Sequence, residues 1–272
     1  MLRIVKTVGV AALALLPMLA LAAEPVLDVD LGTGVQHYER AALLKRPEVR
    51  TVNVAGDVAY HKAMQYRALP LAALLGKARL EGEVQFTATD GFVANIPAKL
   101  LQGDGQPWLA VEAADKPWPA LKAGGGSSTS SAGPFYLVWL APQKGGVSQE
   151  QWPYQIAKIA ASQPLVARYP QIAPKNVAAG GAEARGLKVY SANCASCHPI
   201  NGAGDAAVGP DLNLPANPTE YFQEAYLRKL IRDPASVRTW KQRMMPGFSD
   251  KALRDADLDD LLAYFRQMAK QR

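Results

Sequence analysis

The chain contains only two cysteines, and a histidine follows the second directly: Cys194-Ala195-Ser196-Cys197-His198. No other feature constrains the fold as tightly, because the surrounding polypeptide must be shaped around whatever these three side chains hold. Three ordinary uses of paired cysteines fit poorly. A structural disulfide would be the default for two cysteines in an oxidising compartment, but this spacing suggests another use. A zinc site needs three or four ligands, and the only other histidines, His37 and His61, lie more than 130 residues upstream. A thioredoxin-like redox pair opens a helix after a strand, whereas these residues close a helical segment.

The residue types suit a different task. Two thiols add across the two vinyl groups of a haem, and an adjacent imidazole binds its iron. From here to the C-terminus the sequence resembles class I cytochromes c. Ala182 to Asn193 reads as a short helix whose Gly186 and Tyr190 resemble the family's N-terminal helix, where a small residue admits a crossing helix. Gly209-Pro210-Asp211-Leu212 resembles the loop in which the proline carbonyl accepts a hydrogen bond from the ligand histidine, so the resemblance implies that role for Pro210.

Met244-Met245-Pro246-Gly247-Phe248 resembles the family's distal loop, with methionine directly before proline. The resemblance implies Met245 as the sixth iron ligand, with Met244 as the alternative. Met268 is better explained by core packing. Leu258, Leu261, Leu262, Phe265 and Met268 recur on one face of a final helix, with Asp255 as its expected N-cap and Arg266, Lys270 and Arg272 toward its end. This helix should cross the one before the cysteines. Arg228, Lys229, Arg232, Arg238, Lys241 and Arg243 concentrate positive charge before the distal loop, either as a solvated face or as a surface that steers an acidic partner.

The N-terminal half has a different texture. Val49 to Val54, Val84 to Ala88 and Phe135 to Leu140 read as strands, and Tyr38 to Leu44 and Leu69 to Leu75 as helices, which together indicate an α+β domain. Three phrases resemble the small molybdopterin-binding domain of the sulfite oxidase family. They are Tyr66-Arg67-Ala68-Leu69-Pro70-Leu71, Thr89-Asp90-Gly91-Phe92, and Ala132-Gly133-Pro134 before Phe135 to Trp139. That family binds molybdenum through a cysteine thiolate. Here both cysteines belong to the haem motif and Val52 to Asp57 contains none, which counts against a molybdopterin centre. Gly124 to Ser131 lacks the lysine and spacing of a phosphate-binding loop and reads as a flexible loop. His37, His61 and Met64 are of types that suit copper, but scattered histidines are usually surface residues.

Targeting and charge complete the expectations. Arg3 and Lys6 precede an apolar run from Val8 to Ala22 that ends in Ala20-Leu21-Ala22, the pattern of a cleaved signal peptide. The run is shorter than the roughly 20 residues a membrane span needs, and Pro17 interrupts it. The formal charge of +6 falls to +4 without Arg3 and Lys6, a mild excess with no nucleic-acid motif. The expected organisation is a signal peptide over residues 1–22, an α+β molybdopterin-domain-like region over 23–165, a linker over 166–181 and an all-α cytochrome c domain over 182–272. The expected protein is a periplasmic carrier with one covalent haem c. It would pass single electrons between redox proteins, for instance from a dehydrogenase to an oxidase or another cytochrome, without stable membrane insertion. The alternative is a haem-linked oxidoreductase of sulfite dehydrogenase type whose N-terminal domain binds the substrate or cofactor.

Overall fold

The computed structural model describes residues 24–76, 80–123, 126–127, 130–206, 208–239 and 244–272. The signal peptide expected over residues 1–22 lies outside the described residues, as do four positions of the glycine-serine loop (124, 125, 128 and 129).

The N-terminal region is α+β. Its strands are β1 (Val26–Asp30), β2 (Val35–Glu39), β3 (Arg50–Val54), β4 (Met64–Pro70), β5 (Glu83–Ala88), β6 (Val93–Pro97), β7 (Pro107–Val111), β8 (Lys122–Ala123), β9 (Gly126–Ser127), β10 (Phe135–Trp139) and β11 (Ile156–Ser162). Short helices α1 (Arg40–Leu44), α2 (Leu71–Leu75), α3 (Ala98–Leu101) and α4 (Pro142–Gly145) fill the connections. Five strands form one sheet in the order β2-β1-β11-β5-β6, four form a second in the order β10-β7-β4-β3, and β8 pairs with β9. Among the described residues only β1 and β11 pair in parallel. β5 follows period two, burying Val84, Phe86 and Ala88 on one face. β10 is buried at every position, as its unbroken apolar run requires. Trp139 completes its burial by donating its indole N–H to Gln151 O at 2.8 Å.

Two local expectations fail for the same reason. Tyr38 belongs to β2, paired with Leu27, and Leu69 and Pro70 belong to β4, paired with Leu109 and Trp108. Each helix is therefore only its last five residues, because a cross-strand partner outcompetes a marginal helical turn.

The C-terminal region is helical. Helices α5 (Leu165–Arg168), α6 (Ala182–Asn193), α7 (Pro218–Tyr221), α8 (Glu224–Arg232) and α9 (Asp255–Ala269) follow one another. Its core holds Tyr190, Leu227, Ile231, Leu258, Leu261, Leu262, Tyr264, Phe265 and Met268, separate from the core between the sheets. Each large apolar side chain so buried contributes roughly 2 kcal/mol. Leu165, the last residue assigned to the α+β region, and Ile172, within the segment read as a linker over 166–181, are also in this core, so both pack on the helical region. The N-cap of α9 is Arg254 and not Asp255. Asp255 occupies the first helical position, where its carboxylate takes a hydrogen bond from Arg232 Nη2 at 2.7 Å.

A polar cluster ties the two regions together. Arg168 grips the Asp205 carboxylate through both terminal nitrogens, Asn95 Nδ2 on β6 donates to it at 2.7 Å, and Tyr169 Oη donates at 3.0 Å. Arg168 Nη2 also donates to Asn95 Oδ1 at 3.0 Å. Burial raises the Asp205 pKa, but Arg168, Asn95 and Tyr169 outweigh it and hold the carboxyl below its ordinary range.

Candidate functional site

The site is built where α6 ends against α9. A Cβ on Gly186 would lie 2.0 Å from Asp260 O, so only glycine permits the approach of the two helices. Beside this contact the Tyr190 and Tyr264 rings lie 5.5 Å apart, and Arg185 clasps Asp260 through two hydrogen bonds of 2.7 and 2.6 Å. The crossing anticipated from Gly186 and the apolar face of the last helix is therefore made.

The chain leaves α6 in tight turns. Cys194 N donates to Tyr190 O at 2.8 Å and His198 N to Cys194 O at 2.8 Å, so Cys194, Cys197 and His198 are gathered within about one helical turn. Tyr190 Oη donates to His198 O at 2.8 Å, anchoring the backbone of the histidine to the helix crossing. Both cysteines are free thiols and half-buried. Burial, with the Glu150 carboxylate as the next cause, pushes the Cys197 thiol up to about 12 and raises Cys194 further. The sulfurs are therefore held as neutral S–H groups, the form that adds across a vinyl double bond without losing a charge.

His198 Nδ1 lies 2.8 Å from Pro210 O. A carbonyl can only accept, so Nδ1 carries the proton and the Nε2 lone pair is directed elsewhere. Burial pulls the imidazole pKa down against the effect of the Pro210 carbonyl and favours the neutral ring that binds a metal. Gly209 passes flat against this ring. A Cβ there would fall 2.3 Å from Cε1 and 2.6 Å from Nδ1.

The loop carrying Pro210 is fixed by Asp211, within the motif itself, and by two asparagines that the sequence did not single out. Asp211 accepts backbone N–H bonds from Gly202 (2.7 Å), Asn213 (2.7 Å) and Leu214 (2.8 Å). The buried amides of Asn213 and Asn217 donate to Met268 O and Phe265 O on α9 at 2.9 and 3.0 Å. Asparagines flanking a turn read as ordinary turn formers, and only the packed structure reveals them as ties between loop and helix.

The two methionines of the distal loop are separated clearly. Met244 is 65% exposed, whereas Met245 is half-buried and packs against the core that also receives Cys194 and Leu212. Met268 is fully buried in that core. Elsewhere, His37 is exposed beside Asp28, and no group of three or more His, Cys, Asp or Glu suited to a metal ion occurs among the described residues. Much of the basic stretch is already paired: Arg228 with Glu224 and Asp259, and Arg232 with Asp255 and three backbone carbonyls. Arg238 lies over the Phe222 ring, and Lys241 and Arg243 lie outside the described residues.

Two neutral thiols, a neutral imidazole oriented from behind and a nearby thioether fit a c-type haem: sulfur anchors for the porphyrin, with nitrogen and soft sulfur donors for iron. Residues 183–269 match the family model described as Cytochrome c. No curated protein matches the chain. No helix among the described residues is long and apolar enough to cross a membrane. Residues 183–269 of this chain are thus a cytochrome c domain, which supports a haem-based electron-transfer role and implies redox protein partners.

Proposed function

We propose that the protein is an exported, periplasmic carrier of single electrons, with one haem c attached through Cys194 and Cys197 and its iron held between His198 and Met245. The observation that carries this reading is the hydrogen bond between His198 Nδ1 and Pro210 O, which commits one ring nitrogen to the protein and leaves Nε2 for iron. When bound, the haem supplies a one-electron couple. A thioether ligand from Met245 together with the His198 imidazole would favour ferrous iron and raise the potential relative to two imidazoles. With both residues holding the iron, no position would be left for oxygen or substrate, which favours a carrier over a catalyst.

The N-terminal α+β region supplies partner recognition in this reading. Its resemblance to the sulfite oxidase molybdopterin domain stops short of the metal-binding thiolate, and residues 182–272 would act as the redox unit on their own core. Visible spectroscopy of Met245→Ala and Met244→Ala tests the axial assignment. Met245→Ala should lose the six-coordinate ferrous spectrum, lower the potential and gain carbon monoxide binding, while Met244→Ala should match the wild type. The reverse pattern would assign iron to Met244, and no change in either would remove methionine from the site.

A further inference from the structure

One turn of the N-terminal region, Ser148-Gln149-Glu150-Gln151, is wedged between the two halves of the haem site. Ser148 Oγ accepts the Glu150 backbone N–H at 3.2 Å and donates to Asn193 Oδ1 at 2.7 Å, so one hydroxyl joins the backbone of Glu150 to the last residue of α6. On the other side Gln149 Nε2 donates to Gly247 O at 3.3 Å, two residues past Met245. Val93 N donates to Ser196 O at 3.3 Å between the two cysteines. The cysteine segment and the methionine loop are therefore both bridged by the N-terminal region, with Glu150 between the bridges.

The environment of Glu150 is poor for a carboxylate. Among the described residues its one hydrogen-bonding side chain is the Gln149 amide, at a long 3.5 Å. The titratable groups facing it are Cys194 and Cys197, from the segment after α6, and Tyr154, from the loop leading into β11. Asp90, in the turn between β5 and β6, acts on Cys197 and Tyr154. None of these is a cation. Burial accordingly raises the Glu150 carboxyl to about 7.

We propose that Glu150 is a redox-linked proton site: it takes up one proton from solvent when the haem iron accepts one electron from its partner, and releases the proton on oxidation. This rests on the haem reading above. The sign follows from charge. Ferrous iron carries one positive charge fewer than ferric iron, so the nearby carboxylate loses an attraction and its protonated form gains.

The test is a potentiometric titration of the haem-loaded protein and of Glu150→Gln, from about pH 5 to pH 9, across the raised pKa. The wild-type potential should fall as pH rises through 7. Full coupling is a tenfold change in the redox equilibrium per pH unit, or 59 mV for one electron, and Glu150→Gln should flatten the curve. A flat wild-type curve, or an equal slope in the variant, would overturn the proposal, the latter assigning the proton to the propionates or to His37 and His61. The reduced-minus-oxidised infrared spectrum of the wild type at pH 7 needs no variant. A protonated-carboxyl band should appear on reduction and shift with isotopically labelled glutamate, and its absence would also overturn the proposal. A protein with no haem absorption would instead sink the electron-carrier reading, so the two failures are distinguishable.

Discussion

Gly186→Ala probes the helix crossing on which the site stands. The new Cβ would sit 2.0 Å from Asp260 O, 2.7 Å from the Asp260 carbonyl carbon and 2.6 Å from Tyr264 Cβ. Real Cβ contacts are essentially never below 3.0 Å, so α6 and α9 would have to part by about an ångström. Two of the obstructing atoms are backbone and cannot rotate aside. Overpacking of this kind costs about 1–3 kcal/mol, and occasionally more. Replacing an interior helical glycine by alanine recovers about 1 kcal/mol. With a backbone clash at the upper end of the range, the net loss should be about 2 kcal/mol, concentrated in the helical region. Urea unfolding followed by haem absorption measures it, with Gly56→Ala as the control because a Cβ at Gly56 meets nothing within 4 Å. The control should stay within about 0.5 kcal/mol of wild type. A Gly186→Ala protein equally close to wild type would refute the reasoning, since the helices could then not be in backbone contact.

Asp205→Ala should cost about 2–3 kcal/mol, below the full 3–5 kcal/mol of a deeply buried pair because Arg168 is partly exposed. Calorimetry should show the two cores melting with less cooperativity. Because the Asp205 pKa is lowered in the folded state, its contribution is present above about pH 4 and is lost as pH falls through the folded value, a dependence the alanine variant should lack. Gly209→Ala should push the imidazole off Pro210 O and weaken His198 ligation about 10- to 100-fold, visible as high-spin haem; a fully low-spin spectrum would contradict the contact.

Legibility in the sequence followed the range of the interactions. The apolar face of α9 could be read because it repeats at helical spacing within one segment, whereas the helix over Ala182 to Asn193 was read alongside the family resemblance. The need for Gly186 was visible only through the family resemblance. Its physical cause, the carbonyl of Asp260, lies 74 residues away. The caps were harder: Asp255 is a good N-cap by type, yet its carboxylate is engaged by Arg232. The segment read as a connector contains Ile172, which accepts a hydrogen bond from the buried Tyr264 hydroxyl at 2.8 Å, and no local pattern announces such a contact. The Asn95–Arg168–Asp205 cluster was equally silent, because three polar residues from distant segments carry no periodicity. Glu150 stood in an unremarkable turn, and its character comes from its burial in the folded protein.

The central claim is that Cys194 and Cys197 carry a haem through carbon–sulfur bonds. Intact-mass measurement of the denatured protein after acid-acetone extraction tests it most directly. The expected result is a coloured polypeptide heavier by one haem, with the added mass lost in Cys194→Ala/Cys197→Ala. A colourless polypeptide of unmodified mass, or a disulfide between the two cysteines after co-expression with haem-attachment machinery, would contradict it.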